Sequence, residues 1–137
     1  MSGMTAQAIE AFLAQQFPEV QTPRVLYADG ATARLSLEYR PSQLRPGGTL
    51  SGPTLMALAD TAMYALVLSA VGEVPLAVTT NLTMNFLRRP QPEDLVAEAR
   101  LLKQGRLLAV GEVSLHSVSS DELCAHAVVT YALPPQR

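Results

Sequence analysis

Among the 137 residues there is no tryptophan and a single cysteine, Cys124, so no internal disulfide can form and a reducing compartment suits the chain. Charge is scarce too. Only 16% of residues are charged, 10 basic against 12 acidic, and the net charge of −2 leaves no basic surplus with which to hold nucleic acid. The N-terminus, MSGMTAQAIE, lacks the cationic and apolar regions of a signal peptide, and a cytoplasmic protein is expected. No Gly-rich phosphate loop, CxxC pair or GxSxG nucleophile elbow is present.

What the sequence does have is apolar mass, at 48% of residues, in a length that suits one domain spanning 1–137. Within the N-terminal segment 1–20, TAQAIEAFLAQQF (5–17) sets Ile9, Phe12, Leu13 and Phe17 at helical spacing before Pro18. Asp29-Gly30 marks a hairpin, after which Ala33, Leu35, Leu37 and Tyr39 alternate with polar residues. The Pro- and Gly-rich 41–52 reads as a loop. Pro53 then suits a first helical turn, with Ser51 or Gly52 as cap and Gly72 as the stop. Strands follow over 76–89, 93–103, 106–118 and 122–133, the middle pair joined through Gln104-Gly105, with a tail at 134–137. In 76–89, Val78, Leu82, Met84 and Phe86 alternate with Thr79, Asn81, Thr83 and Asn85. The expected architecture is α+β: a long apolar core helix wrapped by a curved antiparallel sheet of six strands.

One residue on that core helix is out of character. Asp60 is the only charged residue between Leu50 and Gly72, and its neighbours at helical spacing, Met56, Ala57, Met63 and Tyr64, offer no cation. An unpaired carboxylate in apolar surroundings costs several kcal/mol. A membrane span over 53–71 is long enough, but it would bury Asp60 at its centre and has no basic flank, so no membrane is expected. The bland alternative is a carboxylate bonded to Thr61, Tyr64 or a neighbouring strand.

The element order, with GGTLSGPTLMALADTAMYAL, AVTTNLTMNFLRRPQPEDLVAEARLLKQGR and LCAHAVVTYAL, resembles the hotdog-fold acyl-CoA thioesterases, in particular their phenylacetate-degradation (PaaI-like) branch, over residues 24–133. Gly52 matches the first glycine of that motif and Asp60 its helix carboxylate. Ser51 stands where histidine is usual, Pro53 where a second glycine is usual, and Arg45 roughly where asparagine is usual. Thr79 falls where many members carry a serine or threonine near the catalytic water. The resemblance implies that the Gly52 N–H polarises a thioester carbonyl and that Asp60 is the general base or nucleophile. It implies no cofactor, coenzyme A being part of the substrate.

Elementary geometry adds a constraint. Gly52 and Asp60 are eight residues apart, about 12 Å along a helix, too far to meet at one carbonyl. A homodimer, or a dimer of dimers, would bring Asp60 of one subunit to Gly52 of the other. Arg88, Arg89, Lys103 and Arg106, at strand ends and a turn, are candidates for the phosphates of coenzyme A, against the alternative of solvated turn charges. Arg45 is a further substrate candidate, and Ser51 is either a helix cap or a contact to the thioester. His116, His126 and Glu112 suit outward packing on a sheet better than a metal site, and Cys124 reads as a buried thiol. Two other functions fit the same fold. A non-catalytic acyl-CoA binder would explain the missing histidine, whereas a dehydratase or hydratase would need it.

Overall fold

Thr5 opens the first element, its side chain accepting from the Ala8 N–H at 3.2 Å, and helix α1 (Ala6–Gln16) then buries Ile9, Phe12 and Leu13. The structure is a computed structural model describing residues 3–135; residues 1, 2, 136 and 137, the extremes of the expected N-terminal segment and tail, lie outside the described residues. Strands β1 (Arg24–Ala28) and β2 (Thr32–Leu37) form the hairpin announced by Asp29-Gly30. There Asp29 Oδ1 accepts from the N–H groups of Ala31 and Thr32 at 2.9 and 2.7 Å, which fixes the turn. The expected loop at 41–52 holds more order than its composition suggests: a 3₁₀ turn at Pro41–Gln43 and a small ladder of β3 (Leu44–Arg45) with β4 (Thr49–Leu50).

Helix α2 (Gly52–Val71) follows, capped by Ser51 and stopped at Gly72, whose φ of 99° is open to glycine without strain. From Leu58 to Ser69 every residue except Asp60 and Thr61 is buried. Each large apolar side chain so buried contributes about 1.5–3 kcal/mol relative to exposure. Among the described residues α2 is the one helix long and apolar enough to cross a membrane, and here a sheet wraps it instead.

That sheet comprises β1, β2, β5 (Val78–Phe86), β6 (Leu95–Gln104), β7 (Leu108–Ser117) and β8 (Leu123–Ala132), antiparallel throughout, in the order β1-β2-β6-β7-β8-β5. The α+β expectation holds in detail. The β6–β7 link is one residue longer than expected: the strands end at Gln104 and restart at Leu108, closed by the Gly105 N–H donating to the Leu108 carbonyl at 2.8 Å.

Alternation puts Ala125, Ala127, Val129 and Tyr131 of β8 against α2. On β5, Leu82, Met84 and Phe86 share that inner face with them, as expected. A register shift between Thr79 and Asn81 breaks the pattern, however. It turns Thr79 inward opposite Tyr131 and leaves Val78 to the outer face with Ala132, which corrects the simple alternation.

The two sheet edges differ. On β1 the Val25 N–H is taken by Glu10 of α1, through Oε1 at 2.7 Å, and a bulge interrupts pairing at Leu26. Strand β5 pairs only with β8, and none of its nine residues is buried. Where α2 crosses β7, Gly111 leaves just enough room. A Cβ there would lie 2.6 Å from Met63 Sδ and 3.0 Å from the Arg100 carbonyl oxygen, and the carbonyl cannot move aside as the methionine can. Gly111→Ala is expected to lower stability by about 1–3 kcal/mol through overpacking. Urea denaturation should show a lower midpoint with an unchanged slope; an unchanged midpoint would mean the helix rides more loosely on the sheet than the structure has it.

Candidate functional site

Along α2, Pro53, Met56 and Ala57 are exposed and Asp60 and Thr61 half-buried, at the spacing of a single helix face. This stripe runs beside the open β5 edge, with Gly52 near the Phe86 ring at one end and Asp60 bonded to Thr79 at the other. The bland reading of Asp60 is right about a neighbouring strand and wrong about Thr61 and Tyr64. The Thr79 hydroxyl donates to Asp60 Oδ1 at 2.5 Å, and the Tyr131 hydroxyl reaches the same oxygen at 3.0 Å and the Asp60 carbonyl at 3.2 Å. Among the described residues no donor reaches Oδ2. Asp60 lines a cavity of 250 Å³ together with Leu13, Phe17, Val20, Tyr64 and Tyr131.

Tyr131 escaped the sequence reading. Its aromatic ring looked like one more inward residue, and nothing local marks it as the partner of a carboxylate 71 residues away. The signal that existed was its phase on β8, but that points to Asp60 only once the helix is known to lie over that part of the sheet. Burial, then the charge of Asp60, pushes the Tyr131 phenol well above its ordinary range, so it stays protonated.

At the start of α2 the donors can be followed one by one. Pro53 has no N–H, the Thr54 N–H goes to Ser51 Oγ at 3.3 Å, and the Leu55 N–H goes to the Ser51 carbonyl at 3.2 Å. Among the described residues only the Gly52 N–H of this turn lacks an acceptor, and a helix N-terminus carries partial positive charge. Ser51 Oγ is also shared with Thr54 Oγ1 at 2.8 Å, so its hydroxyl is engaged in capping. Gly52 lines a cavity of 390 Å³ together with Arg45, Phe86, Arg88 and Arg89.

The cations do not form one cluster within the chain. Arg45, Arg88 and Arg89 surround the cavity at the start of α2, with Arg88 Nη2 paired to Glu122 at 3.1 Å. Lys103 and Arg106 sit at the β6–β7 turn, and Arg106 lines a separate cavity with Val71 and Leu133. The Arg88 backbone bonds to Cys124, whereas Gln104 pairs with Ala109 and Ala109 with Tyr131, so roughly 20 Å of β8 lies between the two groups. Sequence spacing had drawn them together because strand ends look alike whichever end of the sheet they occupy.

On the outer face, His126 Nε2 meets Glu112 Oε1 at 2.9 Å and His116 Nε2 lies 3.5 Å from Glu98 Oε1, so the two histidines belong to separate ion-pair chains. Glu112 also pairs with Arg100, and its carboxyl is held below the usual range by the hydrogen bonds from His126 and Arg100. Cys124 is buried, which pushes its thiol up.

Residues 47–124 match the thioesterase superfamily. A solved structure from Silicibacter sp. TM1040, named as a candidate thioesterase, is 39% identical and superimposes with a TM-score of 0.89 over 98% of this chain and 95% of that one. A structure from Streptococcus pneumoniae TIGR4, named a hypothetical thioesterase with coenzyme A, shares the fold at 18% identity and a TM-score of 0.79, over 90% of this chain and 98% of that one. A protein of Saccharolobus solfataricus, named as a candidate esterase, is 29% identical over 102 residues, 74% of this chain and 66% of the relative, just under two thirds of its length. With more than half its length matched, the chain belongs to the thioesterase superfamily.

Proposed function

We propose that the chain is a thioester hydrolase of the phenylacetate-degradation branch, cleaving an acyl- or aryl-acyl-CoA to the free acid and coenzyme A at a site shared by two copies of itself. The observation that carries this reading is the uncovered stripe of α2, which offers one unbonded donor, the Gly52 N–H, and one carboxylate, Asp60, on an otherwise buried helix. Thioester hydrolysis needs these two things: a donor aimed at the developing oxyanion and a base or nucleophile at the carbonyl carbon.

The open β5 edge supports the shared site. Two copies pairing their β5 strands antiparallel would set the Phe86 end of one against the Thr79 end of the other. Gly52 lies by Phe86 and Asp60 by Thr79, so the same operation would carry Gly52 to the partner's Asp60. It would also bring the partner's Lys103–Arg106 turn toward the end of the sheet that holds Arg45, Arg88 and Arg89, because Val78 pairs with Ala132 and Ala132 with Leu108. These cations suit the coenzyme phosphates. The solved structure with coenzyme A lends fold-level support. The acyl group would enter the 250 Å³ cavity beside Asp60, wide enough for an aromatic ring, since about 150 Å³ accommodates benzene.

In the reaction, the thioester carbonyl oxygen accepts from the Gly52 N–H. Asp60 takes a proton from water, whose oxygen adds to the carbonyl carbon, and the tetrahedral intermediate expels the coenzyme thiolate, which takes that proton back from Asp60 and leaves the free acid. If Asp60 attacks directly, the C–S bond breaks and the coenzyme thiolate leaves as an acyl-aspartyl anhydride forms; water then cleaves the anhydride to the free acid and Asp60, and the proton released goes to the thiolate. Ser51, engaged in capping, leaves the histidine position without a proton carrier, so the scheme assigns it no transfer.

Static light scattering should give at least a dimer at assay concentration; a monomer would remove the shared site. On a panel of acyl-CoA substrates, Asp60→Asn should lower kcat by about 10²–10⁴-fold with little change in KM, and the fold should hold or gain stability because a poorly solvated carboxylate becomes neutral. Ser51→Ala should cost about 1 kcal/mol of stability through the lost cap and less than about tenfold in kcat. Full turnover by Asp60→Asn would make the mechanism wrong, and tight coenzyme binding by a wild type that hydrolyses nothing would favour the acyl-CoA binder.

A further inference from the structure

We propose, resting on the thioesterase reading above, that Tyr131 is a positioning residue for the reaction: its hydroxyl, working with that of Thr79, locks the Asp60 carboxylate by one oxygen and so aims the other at the substrate.

Three independent features of the fold converge on this. Thr79 and Tyr131 are direct partners in the β5–β8 ladder, and they share the inner face only because of the bulge at Thr80. Both hydroxyls meet at a single atom, Asp60 Oδ1, at 2.5 and 3.0 Å, which leaves Oδ2 without a donor among the described residues, on a carboxylate that lines the cavity. A carboxylate held this way cannot spin about its terminal torsion, which is otherwise broad. The Tyr131 ring is itself immobilised: it is 4% exposed and stacks on Tyr64 at 5.7 Å with 12° between the planes. A donor fixed by packing, rather than a mobile one, is what holding a reacting group within a fraction of an ångström demands.

The phenol has one proton and two acceptors within reach, the carboxylate and the Asp60 carbonyl. The charged acceptor is the nearer and the stronger. Because its O–H stays on at any working pH, Tyr131 is a donor and never a base. Around the carboxylate, β8 contributes Tyr131, β5 contributes Thr79, and α2 itself contributes Tyr64, with Glu73 acting on Tyr64 from beyond. The wall from α1 and the segment after it carries no charged side chain. Removing the Tyr131 donor therefore acts on Asp60 with no nearby titrating cation to compensate.

The test is Tyr131→Phe, which keeps the ring and its stacking while deleting the donor, measured on whichever acyl-CoA the wild type hydrolyses best. Expected are a fall in kcat of about ten- to a hundredfold, the scale of a lost hydrogen bond to a charged group, with KM held within about twofold. The acid limb of the kcat/KM profile should move to higher pH, since a carboxylate that loses a donor favours its protonated form. Thr79→Val, which deletes the opposite donor without touching the core, should shift the same limb in the same direction; it serves as the readout if Tyr131→Phe does not fold. A folded Tyr131→Phe with unaltered kcat and an unmoved acid limb, while Asp60→Asn is inactive, overturns this inference and leaves the thioesterase reading standing. A rise in KM alone overturns it too, by making Tyr131 a substrate contact. A wild type that hydrolyses no thioester overturns both, and is recognised before any variant is made.

Discussion

A single carboxylate on an apolar helix organises this fold's chemistry. Helix α2 is buried on nearly every side, and Asp60 is accommodated because two hydroxyls from two strands converge on it. The constraint runs outward from there. The bulge in β5 turns Thr79 inward, and the Tyr131 ring that carries the second hydroxyl is stacked against Tyr64. Among the described residues those two hydroxyls are the only donors that reach this half-buried carboxylate.

The start of α2 follows from a different economy of donors. A helix presents several orphan N–H groups at its N-terminus, each of which is satisfied elsewhere or left open. Here Pro53 removes one outright, the Ser51 hydroxyl takes that of Thr54, and the Gln43 carbonyl takes that of Ser51 itself. What remains is the Gly52 N–H, backed by the helix dipole and free of a side chain of its own. Ser51 and Pro53 are coherent with each other: both concentrate the donor capacity of the turn on Gly52.

How much of this was legible in the sequence depends on the range of the interaction involved. The helix, its caps and its stop are written within a few residues, in Ser51, Pro53 and Gly72, and the structure has them where expected. Asp60 declared itself by isolation alone. Thr79 was found through the motif but placed on the wrong face by strict alternation, because a bulge leaves no reliable trace in a strand's composition. Tyr131 was missed since its partner lies on a distant element, and the cations were grouped by similar surroundings although the sheet separates them. Local chemistry is readable from local residues; convergence of side chains from three elements requires the register of the sheet.

The two edges of that sheet differ in how far the chain itself covers them. A strand edge is a row of unpaired donors and acceptors, and a protein that avoids aggregation must cover or interrupt it. On β1 this is done within the chain: Glu10 takes the Val25 N–H, α1 packs alongside, and the bulge at Leu26 twists the edge. On β5 there is a bulge at Thr80 but, among the described residues, no side chain or helix that takes its outer edge, and the adjoining stripe of α2 exposes Met56 and Ala57 next to Gly52 and Asp60. An edge left open on one side and closed on the other favours a closed two-fold pair over an indefinite ribbon, because only like edges can meet. The groups proposed for catalysis lie along that open side, so the proposed pairing and the proposed chemistry make their demands on the same surface.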